Sequence, residues 1–424
     1  MLRRAVLALL AIALLAMLAA AMVAWLNQRG EAPLPEAQGA FTATPQMVER
    51  GRYLALAGNC AGCHTARGGA AYAGGVGIDT PFGTVYAGNL TPDPRHGIGQ
   101  WSAAEFWRAM HNGRSRDGRL LYPAFPYPSF TQVTREDSDA IYAWLRTVPP
   151  AAVANTPHRL RFPYDTQAAL AVWRALSFTP GSFVADAGKP AEWNRGAYLV
   201  NGLGHCIACH GTRDALGATQ TKFGLSGGTI AIEQWYAPSL SSKREASVAD
   251  WPRRDVIALL QTGTAPGASV MGPMADVVFR STQHLSEPDL DAIASYLQQL
   301  PDTTPPPAAA ASPQRRDAGV MARGERIYDQ RCAYCHGEQG EGKPGAFPAL
   351  AGSRAVNMER PGNLIQTVRR GGYLPTTAGN PRPFGMPPFG HVLDDGEIAA
   401  VLTYVRGSWG NDARAVTAAD TLRR

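Results

Sequence analysis

The cysteines of this 424-residue chain number six, and they fall into three pairs that each run into a histidine. The segments are CAGCH at Cys60, Cys63 and His64, CIACH at Cys206, Cys209 and His210, and CAYCH at Cys332, Cys335 and His336. C-x-x-C-H is the spacing of covalent c-type haem attachment. Two thiols add to the two vinyl groups of one haem, and the adjoining histidine lies under the iron as its proximal ligand. A single match would also fit a redox dithiol or half of a zinc site. Three matches that use every cysteine leave no second pair nearby to complete the four ligands of zinc. The sequence therefore predicts three covalently attached haem c groups.

Each iron has a second axial position, which methionine usually fills in electron-transfer cytochromes. The expected source is the loop before the last helix of each unit. In the third unit RPFGMPPFG offers Met386, 50 residues after His336. In the second, GASVMGPMADVV offers Met271 and Met274. Met274 fits better, because a proline precedes it and its spacing stands closer to that of the third unit. In the first unit the same slot, in YPAFPYP, holds Phe125, 61 residues after His64. A phenyl ring cannot ligate iron. Three readings stay open: an open or water-bound iron walled by Phe125, substitution by Met110 or His111, or a ligand from His96.

The elements that must position these residues repeat three times. Arg-Gly precedes each attachment segment, at Gly51, Gly196 and Gly324, and Tyr53, Tyr198 and Tyr328 keep a helical phase with the small and apolar residues that follow them. Each unit closes with an amphipathic helix: DSDAIYAWLRTV, EPDLDAIASYLQQL and DDGEIAAVLTYVRGSW. Acidic residues near each start suit the positive end of a helix, and Asp137, Asp139 and Asp289 are read as such. Trp144, Tyr296 and Tyr404 fall in equivalent places, so an N-terminal helix should cross a C-terminal helix through glycine and aromatic contacts, with these aromatics as core. The fold class expected is all-α: three class I cytochrome c domains in tandem, at 41–150, 185–302 and 315–411, behind an N-terminal helix at 1–30. A segment at 151–184 should pack on its neighbours, because it holds ALAVWRALSF. The Pro/Ala-rich stretch at 303–314 should be an extended spacer.

At the N-terminus, Arg3 and Arg4 precede an uncharged run from Ala5 to Leu26. A signal peptide needs only about 7–15 apolar residues and a spanning helix about 20. The run therefore favours an uncleaved anchor with its arginines on the cytoplasmic side, the alternative being a long signal peptide cut near Ala19 to Ala24. Either way the body of the chain is exported. The net charge of +6 comes from dispersed residues, without a basic run interleaved with aromatics, so nucleic acid is excluded as a partner. There is no nucleotide fingerprint, P-loop or G-x-S-x-G serine, so substrate chemistry is expected on another polypeptide.

Together with GNLTPDPRHGIGQWS, AEWNRGAYLVNGLGHCIACH, GPMADVV, MPPFG and SWGN, these segments resemble one family over residues 45 to 411. It is the three-haem cytochrome c subunit of bacterial membrane-bound dehydrogenases, of the quinoprotein alcohol, flavin-dependent gluconate and molybdenum hydroxylase-associated types. The resemblance implies an electron-transfer subunit of the inner membrane with its haem domains in the periplasm. Its partners would be a dehydrogenase catalytic subunit (molybdenum hydroxylase, quinoprotein or flavoprotein) and ubiquinone. The ligands implied are His64, His210 with Met274, and His336 with Met386. Phe125 departs from the methionine of the alcohol dehydrogenase type, which favours a molybdenum hydroxylase partner. Two other readings compete: a peroxidase-like or ligand-binding haem enzyme using an open first iron, and a haem subunit of a terminal oxidase.

Overall fold

The computed structural model describes residues 1–34, 41–230, 234–304 and 316–422. An apolar helix, α1 (Leu2–Gln28), leads into three successive helix pairs. The first unit holds α2 (Pro45–Ala57), α3 (Cys60–His64), a hairpin of β1 (Gly77–Thr80) and β2 (Gly83–Tyr86), α4 (Ala103–Asn112), α5 (Tyr127–Phe130) and α6 (Arg135–Leu145). Beyond it β3 (Arg159–Leu160) adds to β2, and α7 (Gln167–Ser177) follows. The second unit runs from α8 (Ala191–Tyr198), extended by a π-helical turn at Leu199–Leu203, through α9 (Ile207–His210), β4 (Gly228–Ile230) and β5 (Trp235–Ala237). It continues with α10 (Arg253–Thr262), the hairpin β6 (Thr264–Ala265) and β7 (Ala268–Ser269), α11 (Pro273–Arg280) and α12 (Glu287–Gln298). The third comprises α13 (Ala318–Arg331), α14 (Ala333–His336), α15 (Arg354–Asn357), α16 (Gly362–Arg370), the strand pair β8 (Gly372–Tyr373) and β9 (Gly385–Met386), and α17 (Asp395–Val405).

The molecule is largely helical, but the all-α expectation is corrected by these short antiparallel strands. They lie where chain on the way between helices runs extended past itself and satisfies its backbone groups by pairing. Of the proposed spacer, residues 305–314 lie outside the described residues.

Local chemistry fixes the helix starts. Thr44 accepts from Met47 N with Pro45 in the first turn, Thr134 accepts from Asp137 N, and Ser286 accepts from Asp289 N. Asp394 and Glu397 form a reciprocal capping box on α17.

The Arg-Gly step explains how the helices cross. A Cβ on Gly51 would come within 1.8 Å of the Ala140 carbonyl oxygen, one on Gly196 within 1.9 Å of that of Ala292, and one on Gly324 within 2.3 Å of that of Ala400. In each pair that added Cβ would also come within 2.9 Å of the Cβ of the aromatic four residues on, Trp144, Tyr296 or Tyr404. The arginine before the glycine meets the acid at the third position of the last helix. Arg50 Nε lies 2.7 Å from Asp137, Arg195 Nε 2.7 Å from Asp289, and Arg323 3.4 Å from Glu397.

The cores divide unequally. One apolar cluster runs continuously through the first two units, from Leu54, Ile141 and Leu145 to Leu203, Leu290 and Leu297. The third unit has its own, around Tyr328 with Val401 and around Ile365 with Leu402. In the segment that joins the first two units, α7 carries Leu170 and Arg174 inward and leaves Val172 and Leu176 exposed.

Candidate functional site

Each C-x-x-C-H segment lies on a short helix with its histidine in the last turn. The Nδ1 atoms of His64, His210 and His336 lie 2.6, 2.7 and 2.9 Å from the backbone carbonyl oxygens of Gly88, Pro238 and Pro348. A carbonyl can only accept, so Nδ1 carries the proton and Nε2 keeps its lone pair for a metal. Burial lowers all three imidazole pKa values, opposed in each case by that carbonyl, so the neutral, ligating form is favoured.

These three carbonyls escaped the sequence reading, although a signal existed. The residues read Gly-Asn-Leu, Pro-Ser-Leu and Pro-Ala-Leu, and the backbone N–H groups of Leu90, Leu240 and Leu350 are each tied to a distant carbonyl. The leucines thus pin the carbonyls under the histidines.

Burial, followed by the neighbouring cysteine, pushes the thiols of Cys60 and Cys206 up to about 12 and that of Cys332 up to about 11.

Around the first segment the chain encloses a cavity of ≈ 1720 Å³. Cys60, Cys63 and His64 line it together with Phe125 and Met110, and Arg95, Arg116, Arg119 and Arg213 also border it. A free imidazole Nε2, two thiols, apolar walls and guanidinium groups able to meet carboxylates make a donor set that fits a covalently held haem. Cys209 and His205, from the second unit, line the same cavity.

The candidate sixth ligands are scattered. Phe125 packs on Phe130 with ring centroids 5.4 Å apart. Met110 is buried, and its sulfur accepts from the Ser138 hydroxyl at 3.8 Å. His111 is stacked on Trp107 at 4.4 Å and engaged by the Thr131 backbone, so it serves the core. His96 borders the cavity with its ring 3.3 Å from Asp93. Met274, near the start of α11, packs against Val270, Ala275 and Val278. The Met271 methyl group points at Gly372 of the third unit. Half-buried Met386 lies on β9, paired with Gly372 of β8.

Residues 48–149 match the family model described as cytochrome c, and residues 319–405 that of cytochrome c oxidase, cbb3-type, subunit III. The chain is 38% identical over 408 residues to the cytochrome c subunit of the quinone alcohol dehydrogenase of Komagataeibacter europaeus, covering 92% of this chain and 86% of that one. It is 38% identical over 394 residues to the gluconate 2-dehydrogenase cytochrome c subunit of Pantoea cypripedii, covering 89% of each. It is 40% identical over 382 residues to a nicotinate dehydrogenase subunit of Pseudomonas putida, covering 89% of this chain but 31% of that longer one.

Proposed function

Because the chain belongs to the family of cytochrome c subunits of dehydrogenases, we propose that it is a three-haem electron relay between a dehydrogenase catalytic subunit and ubiquinone or the respiratory chain. Electron transfer is the function of this family, and substrate oxidation belongs to the partner. The peroxidase-like and terminal-oxidase alternatives are not favoured, since relatives across most of the chain are dehydrogenase cytochrome subunits.

The observation that carries the reading is the threefold recurrence of one arrangement: a C-x-x-C-H helix whose histidine donates Nδ1–H to a backbone carbonyl. A haem bound there supplies one-electron chemistry at its iron. The thiols of Cys60 and Cys63, Cys206 and Cys209, and Cys332 and Cys335 would anchor it. His64, His210 and His336 would be the proximal ligands, and Met274 and Met386 the distal ones in the second and third units. The carbonyls of Gly88, Pro238 and Pro348 hold the imidazole planes and tautomers. This divides the chain into cytochrome c domains at 41–150, 185–302 and 315–411, with packed and extended connections at 151–184 and 303–314.

We place the protein on the inner membrane, with α1 as the anchor and the haem domains in the periplasm. Its uncharged length supports this, as do bonds from its last turn to α7 and to the first unit: Asn27 donates to the Ala171 carbonyl at 2.9 Å, and Arg114 to the Asn27 carbonyl at 3.0 Å. Phe125, in place of the methionine of the alcohol dehydrogenase type, favours a molybdenum hydroxylase over a quinoprotein or flavoprotein partner. The test is haem content by pyridine haemochrome. The expected ratio is about three per chain, falling by one when either C60A/C63A, C206A/C209A or C332A/C335A is made. A wild-type ratio of two would refute the three-haem reading.

A further inference from the structure

The first two units exchange a pair of matching contacts. The Tyr53 hydroxyl on α2 donates to Asp289 of α12 at 2.6 Å and accepts from the backbone N–H of Ser286, the N-cap of α12, at 3.2 Å. Reciprocally, the Tyr198 hydroxyl on α8 donates to Asp137 of α6 at 2.6 Å and accepts from the backbone N–H of Thr134, the N-cap of α6, at 3.2 Å. Each carboxylate is gripped from its own unit by an arginine, Arg195 on Asp289 and Arg50 on Asp137. Both aspartates are buried, at 8% and 1% exposure. The arrangement is isologous: each unit gives a tyrosine and receives one at the same place.

The third unit lacks it. Two residues after Gly324 stands Arg326, where the other units have tyrosine. Tyr328 lies four residues on and donates to the Gly337 carbonyl of its own unit at 2.6 Å. Glu397, in the slot of the two aspartates, turns back to its own N-cap.

The two attachment segments lie close together. Cys209 and His205 of the second unit line the cavity around His64, and His205 lies edge-on to Phe130 of the first at 5.4 Å. The Ser281 hydroxyl donates to the Ala57 carbonyl two residues before the turn into α3.

We propose that Tyr53 and Tyr198 are positioning residues that fix the first and second haem sites at one mutual approach, so that these two sites work as an electron-sharing pair to which the third is joined separately. The proposal rests on the three-haem reading above. The test uses the full-length holoprotein and the variants Y53F, Y198F, Y53F/Y198F and, as a control of equal chemistry, Y328F. Hydrogen exchange should lose about tenfold in protection at the N-caps of α6 and α12 in the double variant, since the Thr134 and Ser286 N–H groups then lose their acceptor and each carboxylate one of its donors. In the oxidised protein, magnetic broadening between neighbouring irons by electron paramagnetic resonance should weaken in the double variant and persist in Y328F. Full haem content with unchanged broadening in the double variant overturns the proposal. A reduced haem content in the wild type instead overturns the reading beneath it.

Discussion

Phe125 stands in the slot where the second and third units are read to carry methionine, and Met110, His111 and His96, the replacements weighed from the sequence, are each otherwise engaged. The Met110 sulfur accepts from Ser138, His111 stacks on Trp107, and His96 faces Asp93. The first site is therefore expected to lack a strong sixth ligand. Carbon monoxide added to the fully reduced protein should bind about one third of the haem, and F125M should abolish that binding. Binding to none of the haem in the wild type would show that another ligand has closed the site. Asp289 gives a second test. Burial raises its pKa, but the bonds from Arg195 and Tyr53 and the charges of Arg195 and Arg50 outweigh this, and the net direction is downward. A carboxylate depressed in the folded state contributes stability that is present at neutral pH and is lost as pH falls below about 4. Wild type should lose thermal stability relative to D289N as the pH is taken from 7 to 3; parallel curves would refute the assignment.

At the scale of elements, the glycines decide whether the helices meet. Alanine would gain up to about 1 kcal/mol in an isolated helix. Here its Cβ would run into a carbonyl of the crossing helix, so G51A and G196A should each destabilise by about 1–3 kcal/mol. G324A, with the widest of the three gaps to the facing carbonyl oxygen, should cost least. Denaturant midpoints check the order. Helical phase also explains the tyrosines. A residue two places beyond the glycine lies about 200° round the helix, and one four places beyond lies about 40° round. Tyr53 and Tyr198 therefore turn to the other unit, whereas Tyr328 stays in its own.

For the whole molecule, the continuous core makes the first two units interdependent, while the third stands on its own clusters. A chain ended after Thr304 should fold and retain two haems. One ended after Thr147 should aggregate, because the faces that meet the second unit are left bare. Soluble yield and haem content of the two truncations distinguish these outcomes. The last turn of α1 is bonded to α7 and to Arg114. Intact mass from washed membranes should therefore include the apolar run from Ala5 to Leu26; a mass lacking it would show that it is removed.

The proposed attachment chemistry could be read from the sequence because it is local: two thiols and a histidine need only five consecutive residues. The Arg-Gly repeat and the closing helices were legible through helical period and capping. Asp137 and Asp289 read as helix-start residues, which they are, but their second role depends on a tyrosine contributed by another unit. The carbonyls of Gly88, Pro238 and Pro348 carry no side-chain signature, since any residue offers one, and only the path of the loop brings them to the histidines. Spacing alone put Met274 in its slot, yet its packing against Val278 and Ala275 follows from how α11 seats itself. Composition and spacing thus determined which groups the chain can hold. The fold decided which units share a core and a cavity, because those contacts join residues far apart in the chain.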